Sequence, residues 1–312
     1  MEWRSKVNKL LIRTTGFQFS RAATAQRSTA PPRQAPPRKR SKRQPQPKTP
    51  SLVSRKLTAP LPVASIPRGE AVATNFFDDY DRFFTTSQTT PQRIRLNLRY
   101  EAIFGQNRDL FDGARVLDIA SHDGRWSLAA LKSGASEVIG IEARQDLVSH
   151  ANDSFAHYGI EAQRYRFIAG DIYQVMDDEA FDVDVVLCLG FMYHTLRYNE
   201  LMSHIARCRP RSLLIDGRVI VTDEPVVLLR TEPVDKEWNA VADRYSWGDR
   251  VLSGRPSMTA IETMVNAYGF DVERRCDWTS LLRDNQVDES VDEYADGQRV
   301  TLRCAGRDQL RR

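Results

Sequence analysis

The chain has 312 residues, 41% of them hydrophobic, enough for one large domain or two small ones with a full core. Its net charge of +4 joins two opposed parts: residues 1–70 carry sixteen Lys and Arg against Glu2 and Glu70, a local +14, which leaves −10 for residues 71–312. The basic character belongs to a tail, and the acidic remainder is excluded as a broad phosphate-binding surface.

Residues 1–70 hold ten of the fifteen prolines, among them Pro31-Pro32 and Pro36-Pro37, and the basic run Arg38-Lys39-Arg40-Ser41-Lys42-Arg43. Such a segment buries too little apolar surface to offset its ordering entropy, so a disordered tail is expected. Three readings stay open for it: a dispensable extension, an arm that contacts RNA or another acidic partner, or an organellar transit peptide with Trp3, Val7, Leu10 and Leu11 as a weak apolar face. Cys188, Cys208, Cys276 and Cys304 lack any CxxC spacing, which argues against paired metal-ligand or redox motifs and for a reducing compartment. The cytoplasm is the expectation, or an organelle under the transit reading. No run approaches the ~18–20 apolar residues of a membrane-spanning helix.

From Ala71 to residue 312 the composition is that of a globular domain. Its first segment, 75–110, reads as helical: Asn75–Phe84 is aromatic and acidic, and Thr90–Phe104 has Pro91 in its first turn and Ile94, Leu98 and Phe104 near one face. Strands are then predicted at Arg115–Ile119, Glu137–Ile141, Tyr165–Ala169, Val183–Leu189 and Ser212–Val221, with helices at Arg125–Ser133, Gln145–Tyr158 and Asn199–Arg207. Residues 222–256 read as a loop-rich lid carrying Trp238, Tyr245 and Trp247. Ser257 caps a helix through Ala267 that ends at Gly269, and strands follow at Asp271–Arg275 and Arg299–Cys304. The alternation predicts an α/β, doubly wound, Rossmann-like sheet, mostly parallel with an antiparallel final strand pair.

Ligands of such sheets bind outside the carboxyl ends of the strands, where strand order reverses. The first strand ends in Val116-Leu117-Asp118-Ile119, followed by Ala120-Ser121-His122-Asp123-Gly124 and a helix. Small residues let the backbone approach a ligand, and Asp118 is placed to orient this loop or to meet a ligand ammonium. Glu142, ending the second strand, can accept hydrogen bonds from both ribose hydroxyls; a solvated capping role is the alternative. Asp171, after the third strand, can accept from an adenine amino group with Ile172 covering the ring, or simply cap a turn. A nicotinamide cofactor fits less well, because His122 and Asp123 put bulk and negative charge where a pyrophosphate must sit.

Val116-Leu117-Asp118-Ile119, Ile139-Gly140-Ile141-Glu142, Gly170-Asp171-Ile172 and Val185–Gly190 resemble the successive motifs of class I S-adenosylmethionine-dependent methyltransferases. The resemblance spans roughly residues 114–221. It implies S-adenosylmethionine as cofactor, its methionine part beside Asp118, Ala120, Ser121, His122 and Gly124, its ribose at Glu142, its adenine at Asp171 and Ile172, and Leu189 beside the transferred methyl. The family's D-x-G-x-G-x-G loop is altered, with Ala120 and His122 in the first two glycine positions. A branch with a D-G loop has a similar segment.

The fourth strand runs out through Gly190-Phe191-Met192-Tyr193-His194-Thr195, which resembles the L-Y-H stretch of methyltransferase-fold enzymes acting on the wobble uridine of tRNA. His194 is the candidate general base, since imidazoles titrate near neutral pH, and Tyr193 can orient the acceptor; alternatively His194 caps the next helix and Tyr193 packs beneath it. Asp216, Asp223 and Glu224 are further candidates for the acceptor or a metal, although no metal is required. The expected function is methyl transfer to an oxygen or nitrogen of a small molecule or modified nucleoside. The alternatives are a regulatory protein that keeps the fold without turnover, and an RNA-modifying enzyme anchored by the tail.

Overall fold

The computed structural model describes residues 75–86, 93–235, 244–285 and 291–311. The expected tail and Trp238 lie outside the described residues. In chain order the elements are α1 (Arg93–Ile103), β1 (Arg115–Ile119), α2 (Arg125–Lys132), β2 (Glu137–Glu142), α3 (Gln145–His157), β3 (Tyr165–Ala169), α4 (Ile172–Asp178), β4 (Val185–Leu189), α5 (Tyr198–Arg207), β5 (Ser212–Arg218), β6 (Val227–Pro233), β7 (Arg250–Pro256), α6 (Met258–Ala267), β8 (Phe270–Arg275), α7 (Trp278–Asp284), α8 (Asp292–Ala295) and β9 (Arg299–Gly306).

Seven strands form one sheet in the order β3-β2-β1-β4-β5-β9-β8. β1 to β5 are mutually parallel, and β9 runs antiparallel between β5 and β8. The chain returns from edge strand β3 to β4 beside β1, so the strand order reverses between β1 and β4. That is where a doubly wound sheet opens a crevice at its carboxyl edge.

The central strands are buried on both faces, which is why they read as continuous apolar runs. Val116, Val138, Val185, Leu187 and Leu214 join the core that includes Trp126 and Leu128 of α2, Phe155 of α3 and Tyr100 of α1. The alternate residues Leu117, Ile139, Ile141, Val186 and Leu213 face α4, α5 and α6 through Met176, Leu201 and Ile261. Residues 75–86 form two 3-10 turns, Phe76–Asp79 and Asp81–Phe84, pinned by Phe77 and Phe83. Both rings are fully buried, each contributing about 1.5–3 kcal/mol.

Three expectations need correction. Residues 222–256 contain a hairpin, β6 paired antiparallel with β7 over seven positions, rather than loop alone. Its strand pattern was obscured because Leu228, Leu229 and Leu252 stay exposed while Ser253 and Gly254 are buried. The hairpin is anchored where the Tyr198 hydroxyl donates to the Gly254 carbonyl at 2.7 Å; a Cβ at Gly254 would lie 2.7 Å from the Tyr198 hydroxyl oxygen. Ile94 is exposed, because α1 buries Leu96, Tyr100 and Ile103 on one side and Leu98 and Ala102 on another. α4, α7 and α8 were unread: they are short, and α4 and α7 start at the capping aspartates Asp171 and Asp277.

Candidate active site

The loop after β1 has a glycine-like backbone without the glycines. Ala120, His122 and Gly124 have φ of 55°, 54° and 80°. A left-handed residue with a Cβ costs about 1–2 kcal/mol, so this shape is imposed by its surroundings. Ser121 N–H donates to the Ile141 carbonyl at 2.9 Å, and His122 N–H donates to Glu142 Oε2 at 3.0 Å. Gly140 makes this contact sterically possible, since a Cβ there would lie 2.7 Å from Ser121 Oγ and 2.6 Å from the Phe167 ring.

Glu142 also accepts from Arg144 N–H at 3.0 Å through Oε1, so both carboxylate oxygens already orient backbone. Its carbonyl accepts from Gly170 N–H at 2.9 Å, joining the ends of β2 and β3. Asp171 Oδ1 accepts from Tyr173 N–H at 2.8 Å as the N-cap of α4, while Oδ2 lies 3.6 Å from Arg197 Nη1. Ile172 is buried beside it, and Leu189 is buried at the end of β4. The rim of β1, β2 and β3 therefore brings residues 118–124, Glu142 and Asp171 into one continuous arrangement.

The aspartates in this rim differ in charge. Asp118 points to α2, where Ser127 Oγ donates to its Oδ2 at 2.7 Å. Burial pushes the Asp118 carboxyl up to about 7; the Ser127 hydrogen bond opposes the rise, and the Asp123 and Glu142 charges add to it. Burial also disfavours the Asp123 anion, but the Arg125 guanidinium outweighs it and holds that carboxyl well below the usual range. Arg125 Nε donates to Asp123 Oδ1 at 2.7 Å, and Thr86 Oγ1 donates to Oδ2. Asp123 is thus neutralised by Arg125 and offers little net field to a ligand, so the negative charge expected of it in this loop is not felt there. The rim fits an adenosyl amino acid in another respect: Asp118 Oδ1 and Ser121 Oγ are buried without a hydrogen-bond partner, an arrangement that commonly marks a missing polar ligand or water.

Across the reversal point, Met192–His194 forms a 3-10 turn. His194 does not cap α5, whose N-cap is Arg197. Its Nδ1 instead lies 3.2 Å from Glu232 Oε2 on β6, with the two side chains 14% and 12% exposed. Ser253 Oγ on β7 donates to Glu232 Oε1 at 3.3 Å. Glu232 was missed by sequence reasoning because it sits in the stretch read as a lid, and β6, Val-Leu-Leu-Arg-Thr-Glu-Pro, has no alternation to mark it. Tyr193 and His194 rings are 4.3 Å apart, and the Arg299 guanidinium lies 5.7 Å from the Tyr193 centroid.

Asp216 is not available to an acceptor or a metal. It is 1% exposed and accepts from Arg99, Arg299, Tyr294 and Thr301. Asp223 and Glu224 are exposed and tie the hairpin to α6 through backbone carbonyls, accepting from Thr259 Oγ1 and Ser257 Oγ. Trp247 is 91% exposed, so it does not pack over the rim. Asp177, Glu200 and His204 come within 4.8 Å of one another. Arginines already stand in this cluster: Arg207 contacts His204 Nδ1 and lies 3.3 Å from Asp177 Oδ1, and Arg197 contacts Glu200 Oε2 at 2.7 Å, while the buried His204 Nε2 has no hydrogen-bond partner.

Residues 116–210 match a family model described as a methyltransferase domain. Among similar curated proteins, a candidate ribosomal RNA large subunit methyltransferase of Methanocaldococcus jannaschii is 28% identical over 134 residues, covering 38% of this chain and 34% of that one. A probable protein arginine N-methyltransferase 3 of Oryza sativa subsp. japonica is 32% identical over 165 residues, covering 48% of this chain and 26% of that one. The chain therefore spans about a third or less of the length of these relatives. Among solved structures, magnesium protoporphyrin IX methyltransferase from Synechocystis PCC 6803 aligns with a TM-score of 0.46 and 13% identity, covering 75% of this chain and 92% of that one. Residues 116–210 thus form a methyltransferase domain of the kind the family model describes.

Proposed function

We propose that the protein, as an S-adenosylmethionine-dependent methyltransferase, acts on an oxygen or nitrogen of a small molecule or modified nucleoside seated between the rim and β6. The observation that carries this reading is the placement of two polar groups on opposite sides of the reversal point. Glu142 ends β2 on the cofactor side, and the His194–Glu232 pair stands after β4 on the other.

When bound, S-adenosylmethionine supplies a methyl group already activated on a positively charged sulfur. Glu142 and Asp171 are the residues to hold the ribose and the adenine, while Ala120–Gly124 keeps its backbone close to the amino-acid end. Buried Ile172 and Leu189 exclude water from the adenine and methyl positions. Alignment of acceptor and donor supplies much of the rate in such a transfer. Glu232 accepts from His194 Nδ1–H, which fixes the tautomer and leaves the Nε2 lone pair to take the acceptor's proton. Glu232 touches no reacting atom in this scheme and is a positioning residue.

Calorimetric titration of the full chain with S-adenosylmethionine and with S-adenosylhomocysteine tests the reading. Saturable one-site binding of both is expected. Binding of neither removes the enzyme and leaves a protein that keeps the fold alone.

A further inference from the structure

The face of the hairpin turned toward His194 carries more positive charge than its neighbours can neutralise. Register pairs Glu232 with Val251, Arg230 with Ser253 and Leu228 with Arg255. Side chains alternate along a strand, so Arg230 and Arg255 share the face of Glu232 and Ser253. Glu232 is the residue that meets His194, so this face lies against the Met192–His194 turn.

The nearby carboxylates are already committed, Glu232 on the same face to His194 and Ser253. Asp216 accepts from Arg99 and Arg299, and Glu293 is shared by Arg95, Arg218 and, at 3.7 Å, Arg299. Two acids thus hold four arginines. Arg230 and Arg255 come in addition, and neither guanidinium makes a hydrogen bond or ion pair among the described residues. Arg255 is half-buried. Burial, then the charges of Arg230 and Arg218, pull it below the ordinary arginine value, with Tyr193 and Glu293 opposing. A half-buried guanidinium facing two like charges is costly unless an anion joins it, and arginine forks suit the paired oxygens of phosphate and carboxylate.

We infer that Arg230 and Arg255 bind an oxyanion group, a phosphate or a carboxylate, on the methyl acceptor, beside Tyr193. This rests on the acceptor site proposed above. It narrows the acceptor to an acidic molecule whose methylated atom reaches His194 while its anionic group lies on the hairpin. The negative charge of the domain as a whole does not conflict with it, because the arginines form a local patch rather than a broad surface.

Thermal unfolding of the full chain tests the inference, with ionic strength held constant by sodium chloride and the probe being 10 mM inorganic phosphate or 10 mM acetate. At least one probe is expected to raise the wild-type midpoint by about 2–4 °C, a shift typical of a ligand near ten times its dissociation constant on a domain of this size. A phosphate-only response assigns a phosphate-bearing acceptor, and an acetate response without a phosphate one assigns a carboxylate. The R230Q/R255Q variant is expected to lose the shift while unfolding no earlier than wild type in chloride, because like-charge repulsion is relieved. R230Q alone, at an exposed position, is expected to reduce the shift and serves if the double variant does not fold. Equal shifts in wild type and variants, or no wild-type shift with either probe, overturn the inference. Titration with S-adenosylhomocysteine on the same samples separates the two readings: intact cofactor binding without an oxyanion shift removes this inference alone, whereas an oxyanion shift without cofactor binding removes the methyl-donor assignment and leaves Arg230 and Arg255 as an oxyanion site with no methyl acceptor.

Discussion

Nδ1 of His194 lies 3.2 Å from Oε2 of Glu232, across 38 residues of sequence and between the turn after β4 and the hairpin strand β6. An imidazole held this way at one nitrogen presents the other to whatever sits above the sheet edge. The pair divides the labour of a base between a group that touches the acceptor and one that aims it.

For a hydroxyl acceptor, His194→Asn is expected to lower kcat by roughly 10²–10⁴-fold, with S-adenosylmethionine affinity unchanged. Glu232→Gln is expected to lower kcat with little change in KM and to shift the pH–rate profile, while Glu232→Asp restores part of the rate. A Glu232→Gln enzyme with wild-type kcat and pH profile contradicts the assignment. Steady-state kinetics over a pH series provides the check.

Ala120 holds φ of 55° in the loop that contacts Glu142. Replacement by glycine removes about 1–2 kcal/mol of left-handed strain and adds about 0.4–1 kcal/mol of unfolded-state entropy. Ala120→Gly is therefore expected to stabilise the fold by roughly 0.5–1 kcal/mol, and Ala120→Val to destabilise it. Urea unfolding measures both, and a destabilising glycine contradicts the strain.

Asp216 is the hub of the ion network joining α1, β5, β9 and Tyr294. Burial opposes its ionisation, but Arg299 and Arg99 outweigh burial and hold the carboxyl well below the usual range. Arg299→Ala leaves the buried anion with Arg99 as its remaining guanidinium and is expected to destabilise the fold, by at most about 3–5 kcal/mol. A folded pKa below the unfolded one gives stability that is complete above about pH 4 and is lost as pH falls through the folded value. Wild type should accordingly lose more stability than Asp216→Asn on acidification, as read by denaturant midpoints between pH 5 and pH 2. Parallel curves contradict it.

Asp118 has the opposite sign. Burial raises its carboxyl to about 7, so between about pH 4 and pH 7 the folded protein holds a proton that the unfolded chain has lost. The associated stability is complete below the unfolded value and declines as pH rises through about 7. Asp118→Asn keeps an oxygen for the Ser127 hydrogen bond and cannot ionise. In the absence of cofactor, its stability relative to wild type is expected to rise from pH 4 to pH 8, and a pH-independent difference contradicts the account.

The central sheet was legible because β1 to β5 are apolar runs separated by amphipathic helices; β3 was placed at its observed bounds, as was β1. The rim was legible for the same reason, since Asp118, Glu142 and Asp171 sit at or beside successive strand ends. What the sequence hid were contacts set by tertiary structure. Asp216 reads as a strand-exit acid until Arg99, 117 residues away, donates to it at 2.7 Å. Glu232 has no local signal in the sequence and is found only when the hairpin brings its Oε2 within 3.2 Å of His194 Nδ1. Local pattern carries no information about such pairings, whereas buried strands announce themselves through composition alone.

Glu142→Ala is expected to weaken S-adenosylmethionine binding by about 1–3 kcal/mol. Part of that loss comes from the loop, because Glu142 also accepts the His122 N–H. Calorimetry of the variant alongside Glu142→Gln, which retains one acceptor oxygen, reads the effect. Unaltered affinity in Glu142→Ala contradicts a ribose contact.

The most direct measurement is a crystal structure of the full chain with S-adenosylhomocysteine. The account predicts the ribose hydroxyls within about 2.5–3.0 Å of the Glu142 carboxylate, the adenine against Ile172 with its amino group toward Asp171, and the sulfur facing Tyr193 and His194. An adenosyl group bound elsewhere, or kept from the rim by the His122 side chain, contradicts it.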